Sequence, residues 1–189
     1  MIFTSPERQI WYLLSHIPML TIEHLNRFYE GILTPGQVSV LVGRMAEDQL
    51  ITNRIQWGEY HVLMRVRFST FTHAYVKNLL TALWVPAQLG VNGIRFIDIG
   101  NDNTMLVILG ENDVTYDITV VQNAAEARWA SRSWRASGLG DYSDIVHIAL
   151  CNSYEEGNGL SKILLESGFD SFCTVDPQSK NVEYYDLGS

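Results

Sequence analysis

The sequence predicts an α+β protein in two parts. Three observations predict it: apolar residues recur at helical spacing near the start, a hairpin signal follows them, and past about residue 90 short strand-like runs alternate with Gly-Asn-Asp turns. With 189 residues, 47% hydrophobic and 18% charged, the chain has enough apolar surface for a packed core. It contains no run of about 18 uncharged apolar residues; Leu79 to Leu89 is short and carries Pro86, so no membrane span is expected. The opening MIFTSPERQIW lacks a basic stretch ahead of an apolar one, so no secretory signal is expected. Cys151 and Cys173 both sit in apolar runs and read as core thiols, which suits a cytoplasmic setting.

The helices come first. Ser5 can cap a helix with Pro6 at its first position and Glu7 in its first turn, and Ile10, Leu13, Leu14 and Ile17 then mark one face until Pro18. Thr21 can cap a second helix, with Ile22, Leu25 and Phe28 or Tyr29 inward and Gly31 as its stop. Thr34-Pro35-Gly36-Gln37 is a capping box with proline at the first helical position, and Val38, Leu41, Val42 and Met45 are the buried stripe of the third helix. A hairpin is expected from Leu50 to Ile55, a Trp57-Gly58 turn, and Tyr60 to Arg65. Three short helices followed by a two-stranded hairpin is the layout of a winged helix-turn-helix, expected over residues 1–67.

In that layout the third helix enters a major groove. At about 100° per residue, Val40, Gly43, Arg44 and Glu47 fall opposite the buried stripe, with Gln37 and Ser39 flanking. Gln and Arg can read base edges, a small residue such as Gly43 admits a close backbone, and Arg54 in the hairpin could reach DNA backbone or minor groove. The charge balance is only permissive. Residues through Arg67 hold six Arg against six acids, whereas residues 68 onward hold seven basic and fifteen acidic groups, net −8.

Residues 68–189 predict a second, mixed-sheet α/β domain. A helix is expected from Phe71 to Leu89, then strands Ile94 to Ile99, Thr104 to Leu109 and Val114 to Val121 as a meander. An Ala-rich helix from Ala124 to Ser137, stopped by Gly138-Leu139-Gly140, precedes a strand from Asp144 to Cys151. A helix from Gly159 to Glu166 and strands at Ser171 to Val175 and Val182 to Tyr185 close the chain. A winged helix followed by an α-β-β-β-α-β core resembles the replication-relaxation family of plasmid and mobile-element proteins, whose second half is similar to the restriction-endonuclease-like fold. The resemblance rests on element order and implies a role in replication or transfer of a mobile element.

That nuclease fold uses a proline-aspartate and then an acid-x-lysine to hold Mg²⁺. Here Asp98 follows Ile97, and Asp117-Ile118-Thr119 has threonine in the lysine position, so these acids read as strand-end groups facing water and no catalytic residue is expected. The five histidines show no paired metal-ligand spacing; His147 and Cys151 share a strand face, but a structural role is expected there, with no metal and no cofactor.

One stripe stands apart from the acidic surroundings. Arg128, Arg132 and Arg135 fall at i, i+4 and i+7 on the Ala-rich helix with Trp129 and Trp134 beside them, suited either to phosphate or an acidic partner, or to pairing with nearby acids. The expected partner is double-stranded DNA, contacted by a non-catalytic accessory protein. The alternative is an adaptor whose winged helix docks on a protein partner, and a Mg²⁺-dependent nuclease is a more distant third. Aromatic residues at Trp57 and Tyr185, read as exposed, suggest a homodimer contact.

Overall fold

The computed structural model describes residues 5–65, 71–100, 104–137 and 144–188. Two compact units divide the chain, Met1–Ile97 and Asp98–Ser189. The first opens with α1 (Pro6–His16), β1 (Met19–Leu20), α2 (Ile22–Phe28), α3 (Pro35–Glu47) and the strands β2 (Thr52–Trp57) and β3 (Tyr60–Met64). Ser5 caps α1 with Pro6 in its first turn. The helix stops before Pro18 because the residue preceding a proline is pushed out of the helical region, and Ile17 is extended at φ −106° and ψ 124°. At α2 the cap is reciprocal: the Thr21 hydroxyl accepts from the His24 backbone N–H, and His24 Nδ1 accepts the Thr21 N–H at 3.2 Å. A histidine thus takes the place usually held by Glu or Gln.

The capping box at α3 forms as its sequence predicts, with Thr34 N–H donating to Gln37 Oε1 at 2.8 Å. Val38, Leu41, Val42 and Met45 are buried, together with Ile10, Leu13, Leu14 and Phe28. Each such side chain contributes about 1.5–3 kcal/mol, so burial sets the rotation of α3. The sheet has three strands, ordered β1-β3-β2, one more than the hairpin expected. Two residues are too few to leave a period, so β1 is invisible until Met19 and Leu20 pair with Met64 and Leu63. Trp57 pairs with Tyr60, leaving Gly58 and Glu59 as the loop; Gly58 has φ +59°, the sign a type II′ turn needs at that position.

The helix expected from Phe71 to Leu89 is two, α4 (His73–Ala82) and α5 (Trp84–Leu89). Pro86 has no N–H to give the carbonyl four residues back, at Ala82, and the break falls there. These helices fall within the first compact unit, which runs to Ile97, beyond the winged-helix segment expected over residues 1–67. The buried His24 supplies a reason: its Nε2 bonds the Leu80 carbonyl at 2.8 Å, and its ring lies 4.2 Å from that of Trp84. Counted over the two units, the charge balance differs. Met1–Ile97 holds eight Lys and Arg against six acids, net +2, and Asp98–Ser189 holds five against fifteen, net −10.

A 3-10 turn at Val91–Gly93 leads into β4 (Ile94–Ile99), β5 (Thr104–Gly110), β6 (Thr115–Val120), α6 (Ala124–Ser137), β7 (Ile145–Leu150), α7 (Tyr154–Glu166), β8 (Ser171–Val175) and β9 (Val182–Asp186). These strands form one six-stranded mixed sheet, ordered β4-β5-β6-β7-β8-β9. Pairs β6/β7 and β7/β8 are parallel, joined through α6 and α7, while β5/β6 and β8/β9 are antiparallel. Val121, Ala127, Ala130, Trp134, Ala149 and Phe172 build the core between sheet and helices. Helix α7 begins at Tyr154, capped by Ser153, and not at Gly159; Gly157-Asn158-Gly159 has low intrinsic helix propensity that packing overrides. The Gly138-Leu139-Gly140 stop lies outside the described residues. Among the described residues no helix is long and apolar enough to cross a membrane.

Candidate functional site

Helix α3 turns Gln37, Ser39, Val40, Arg44 and Glu47 outward and leaves Gly43 half-buried. Val40 is 63% exposed, a large fraction for an apolar side chain on an otherwise well-packed helix. Gln37 is less available than its exposure suggests, because its Oε1 already accepts from both the backbone N–H and the hydroxyl of Thr34. A bidentate contact to adenine needs that oxygen as well as the amide nitrogen, so Gln37 would have to give up the cap. Arg54 lies on β2, and its side chain is outside the described residues.

Arg44 is engaged too. Its guanidinium donates to Glu7 Oε1 on α1 at 2.8 Å, with side chains 59% and 37% exposed. An exposed pair of this kind contributes about 0–1 kcal/mol, so a phosphate or a base edge can displace it. Gln37, Val40 and Arg44 line one open groove of about 630 Å³ with Pro6, Glu7, Leu33 and Leu41. Ser39 and Gly43 are outside that lining. The face has an apolar floor and one balanced ion pair. No local sequence signal points to Glu7 as the partner, since it stands 37 residues from Arg44.

The second unit holds a polar cluster that sequence reasoning missed. Asp117 and His147 are register partners on the parallel strands β6 and β7, and they are 4% and 7% exposed. His147 Nδ1 lies 3.2 Å from Asp117 Oδ2, and the Thr119 hydroxyl donates to Asp117 Oδ1 at 3.1 Å. A carboxylate can only accept, so the imidazole proton sits on Nδ1. The His147 ring stacks on Trp134 of α6 with centroids 3.8 Å apart. Asp117 therefore does not face water as expected, because its sheet position is covered by α6. Asp98, on β4, is two strands away in the sheet order and accepts from the Ile99 N–H at 2.8 Å. A buried polar residue between apolar neighbours in both strands was the available signal.

Among the described residues no group of three or more His, Cys, Asp or Glu could hold a metal ion. Both cysteines are buried. Burial pushes the Cys151 thiol up to about 12, with Glu156 adding to the effect, and raises Cys173 as well. Thiolate is the reactive form, so both cysteines are expected to resist a disulfide reagent at about pH 8 in the native chain and to react on unfolding. Rapid labelling of the folded protein would contradict their burial.

Arg128, Arg132 and Arg135 are exposed on α6, and Trp129 is 45% exposed beside them. Trp134, expected in the same stripe, is 4% exposed and belongs to the core. Tyr185 is half-buried, stacked on Phe172 at 4.7 Å, which leaves little of its ring for the homodimer contact suggested by the sequence. Comparison with protein-family models, curated proteins and solved structures gives no match for this chain.

Proposed function

We propose that the first three helices and the β1-β3-β2 sheet form a winged helix-turn-helix that contacts duplex DNA through α3, in a non-catalytic accessory protein. The observation that carries this reading is the division of α3 into a buried stripe, Val38, Leu41, Val42 and Met45, and an outward face bearing Ser39, Val40, Gly43 and Arg44. The net charge of +2 on the first unit supports it. A non-catalytic role is supported by Asp117, whose carboxylate oxygens are bonded to His147 and Thr119 away from solvent. A role in replication or transfer of a mobile element is the corresponding biological setting.

Duplex binding is expected to weaken with salt at a slope of about −0.9 per phosphate contacted. Arg44→Ala is expected to lower affinity and flatten that slope by about one unit. Glu7→Gln should act in the opposite direction, tightening binding severalfold, because it frees Arg44 and removes an anion from the contacting face. Retardation of a mixed duplex pool over a salt series measures all three. No binding at low salt, or equal binding by wild type and both variants, would refute DNA contact through α3.

A second reading is favoured by the groove itself. Its apolar lining, exposed Val40 and internally neutralised Arg44 suit a protein partner as well as they suit a duplex. Co-purification of a stable protein partner that Val40→Asp releases, without duplex binding, would establish an adaptor instead.

A further inference from the structure

Helix α6 buries Ala127, Ala130, Ser131 and Trp134 and leaves Arg128, Trp129, Arg132 and Arg135 in solvent, flanked by exposed Ala125 and Ala136. Its one acid, Glu126, is used at the start of the helix, where it accepts from Gln122 N–H and Asn123 Nδ2. Among the described residues no carboxylate pairs with any of the three arginines. This happens in a unit of net charge −10, which holds three times as many acids as Lys and Arg. Three of its five cations therefore stand together on one helix face, and among the described residues none of the unit's acids pairs with them.

From these observations we infer that the outer face of α6 binds single-stranded nucleic acid, with the arginines on phosphates and Trp129 stacking an unpaired base. The arginines are about 6 and 4.5 Å apart along the helix axis, close enough to meet neighbouring phosphates through their long side chains. Each planar guanidinium can grip a phosphate bidentately. Trp129 lies about 60° around the helix from Arg132, and the small side chains of Ala125 and Ala136 leave its ring accessible. At about 0.15 M salt the Debye length is about 8 Å. More distant acids are screened, and the local arginines set the field that a bound strand meets.

Duplex DNA fits this face less well, because its bases are stacked inside and leave Trp129 without a partner. An acidic peptide would satisfy the arginines and likewise leave the ring unused. The inference concerns the second unit and stands or falls separately from duplex contact by α3.

The test uses the full chain and a fluorescein-labelled oligo(dT) of about twenty nucleotides, followed by anisotropy from about 50 to about 200 mM salt. Wild type is expected to bind with a log–log salt slope near −2, about −0.7 for each of three phosphates. The triple variant R128Q/R132Q/R135Q is expected to lose at least about tenfold in affinity and most of that slope. Arg132→Gln alone, a single change on an exposed helix face, should reduce the slope by about 0.7. Trp129→Ala is expected to lose roughly tenfold with the slope unchanged, which separates stacking from charge. Arg44→Ala should leave oligo(dT) binding intact while weakening the duplex.

Absence of oligo(dT) binding at low salt would overturn the inference, as would equal binding by the triple variant with its circular dichroism and melting unchanged. If poly-glutamate of matched charge competes equally and Trp129→Ala has no effect, the face belongs to an acidic protein and the inference fails.

Discussion

His147→Leu is expected to destabilise the second unit by about 3–5 kcal/mol. The residue it removes is 7% exposed and supplies the ring nitrogen 3.2 Å from a carboxylate that is itself 4% exposed. Water cannot replace that donor in the middle of a sheet covered by α6, so Asp117 would keep the Thr119 hydroxyl and lose its imidazole. The stack on Trp134 would go with it. Asp117→Leu should cost less, about 1–3 kcal/mol, because it removes the buried carboxylate itself and leaves a single ring N–H without its acceptor. The informative variant is the double one. Replacing a buried pair by apolar side chains of similar size is often close to neutral, so Asp117→Leu/His147→Leu is expected to be more stable than His147→Leu alone. Urea unfolding of the full chain, with hydrogen exchange at the β6 and β7 amides, separates this unit from the other. Additive losses across the three variants would mean that the two side chains do not depend on each other.

The second large effect comes from a glycine inside a helix. A methyl group at Gly157 on α7 would stand 2.3 Å from Cδ2 and Cε2 of Phe172 on β8. The ring has little room to retreat, since it stacks on Tyr185 at 4.7 Å and Tyr154 closes on Tyr185 at 4.9 Å. Gly157→Ala would gain about 0.8–1 kcal/mol in helix propensity. That gain is expected to be outweighed by overpacking, leaving the protein less stable by about 1–3 kcal/mol. Two residues along the same helix, Gly159 meets nothing within 4 Å of an added Cβ. Gly159→Ala should therefore stabilise by about 0.5–1 kcal/mol. Thermal melts of the two variants are expected to move in opposite directions. A rise in both would mean that α7 can shift away from β8, and a fall in both would mean that the helix is not formed as described.

Most helix starts were legible because a cap acts within four residues. Ser5, Thr21 and Thr34 each accept a hydrogen bond from a backbone N–H three residues on. The stripe of α3 was legible for the same reason, as its rotation follows from which side chains are apolar. The approximate extents of Ala124–Ser137 and Ser171–Val175 were readable because helical and strand periods each show within a few residues. Where local preference and packing disagree, the reading slipped: α7 starts ahead of its two glycines because Gly157 is the residue that lets Phe172 close against it.

The candidate site divides in the same way. That Arg44 faces outward is a property of its own helix; that it meets Glu7 is a property of how α1 and α3 pack. Asp117 and His147, 30 residues apart, become neighbours only when β7 returns parallel to β6.

From the order of residues alone came the helix caps, the buried stripes, the arginine row on α6 and the α+β class, all of which depend on periods and hydrogen bonds spanning a few residues. The tertiary structure alone decided that α4 and α5 join the first unit, that Gln37 and Arg44 already hold partners, that Trp134 is core while Trp129 is surface, and that an aspartate and a histidine share the middle of the sheet. The physical reason is range: a side chain's partner across the fold is set by chain return and packing, which no window of neighbouring residues contains.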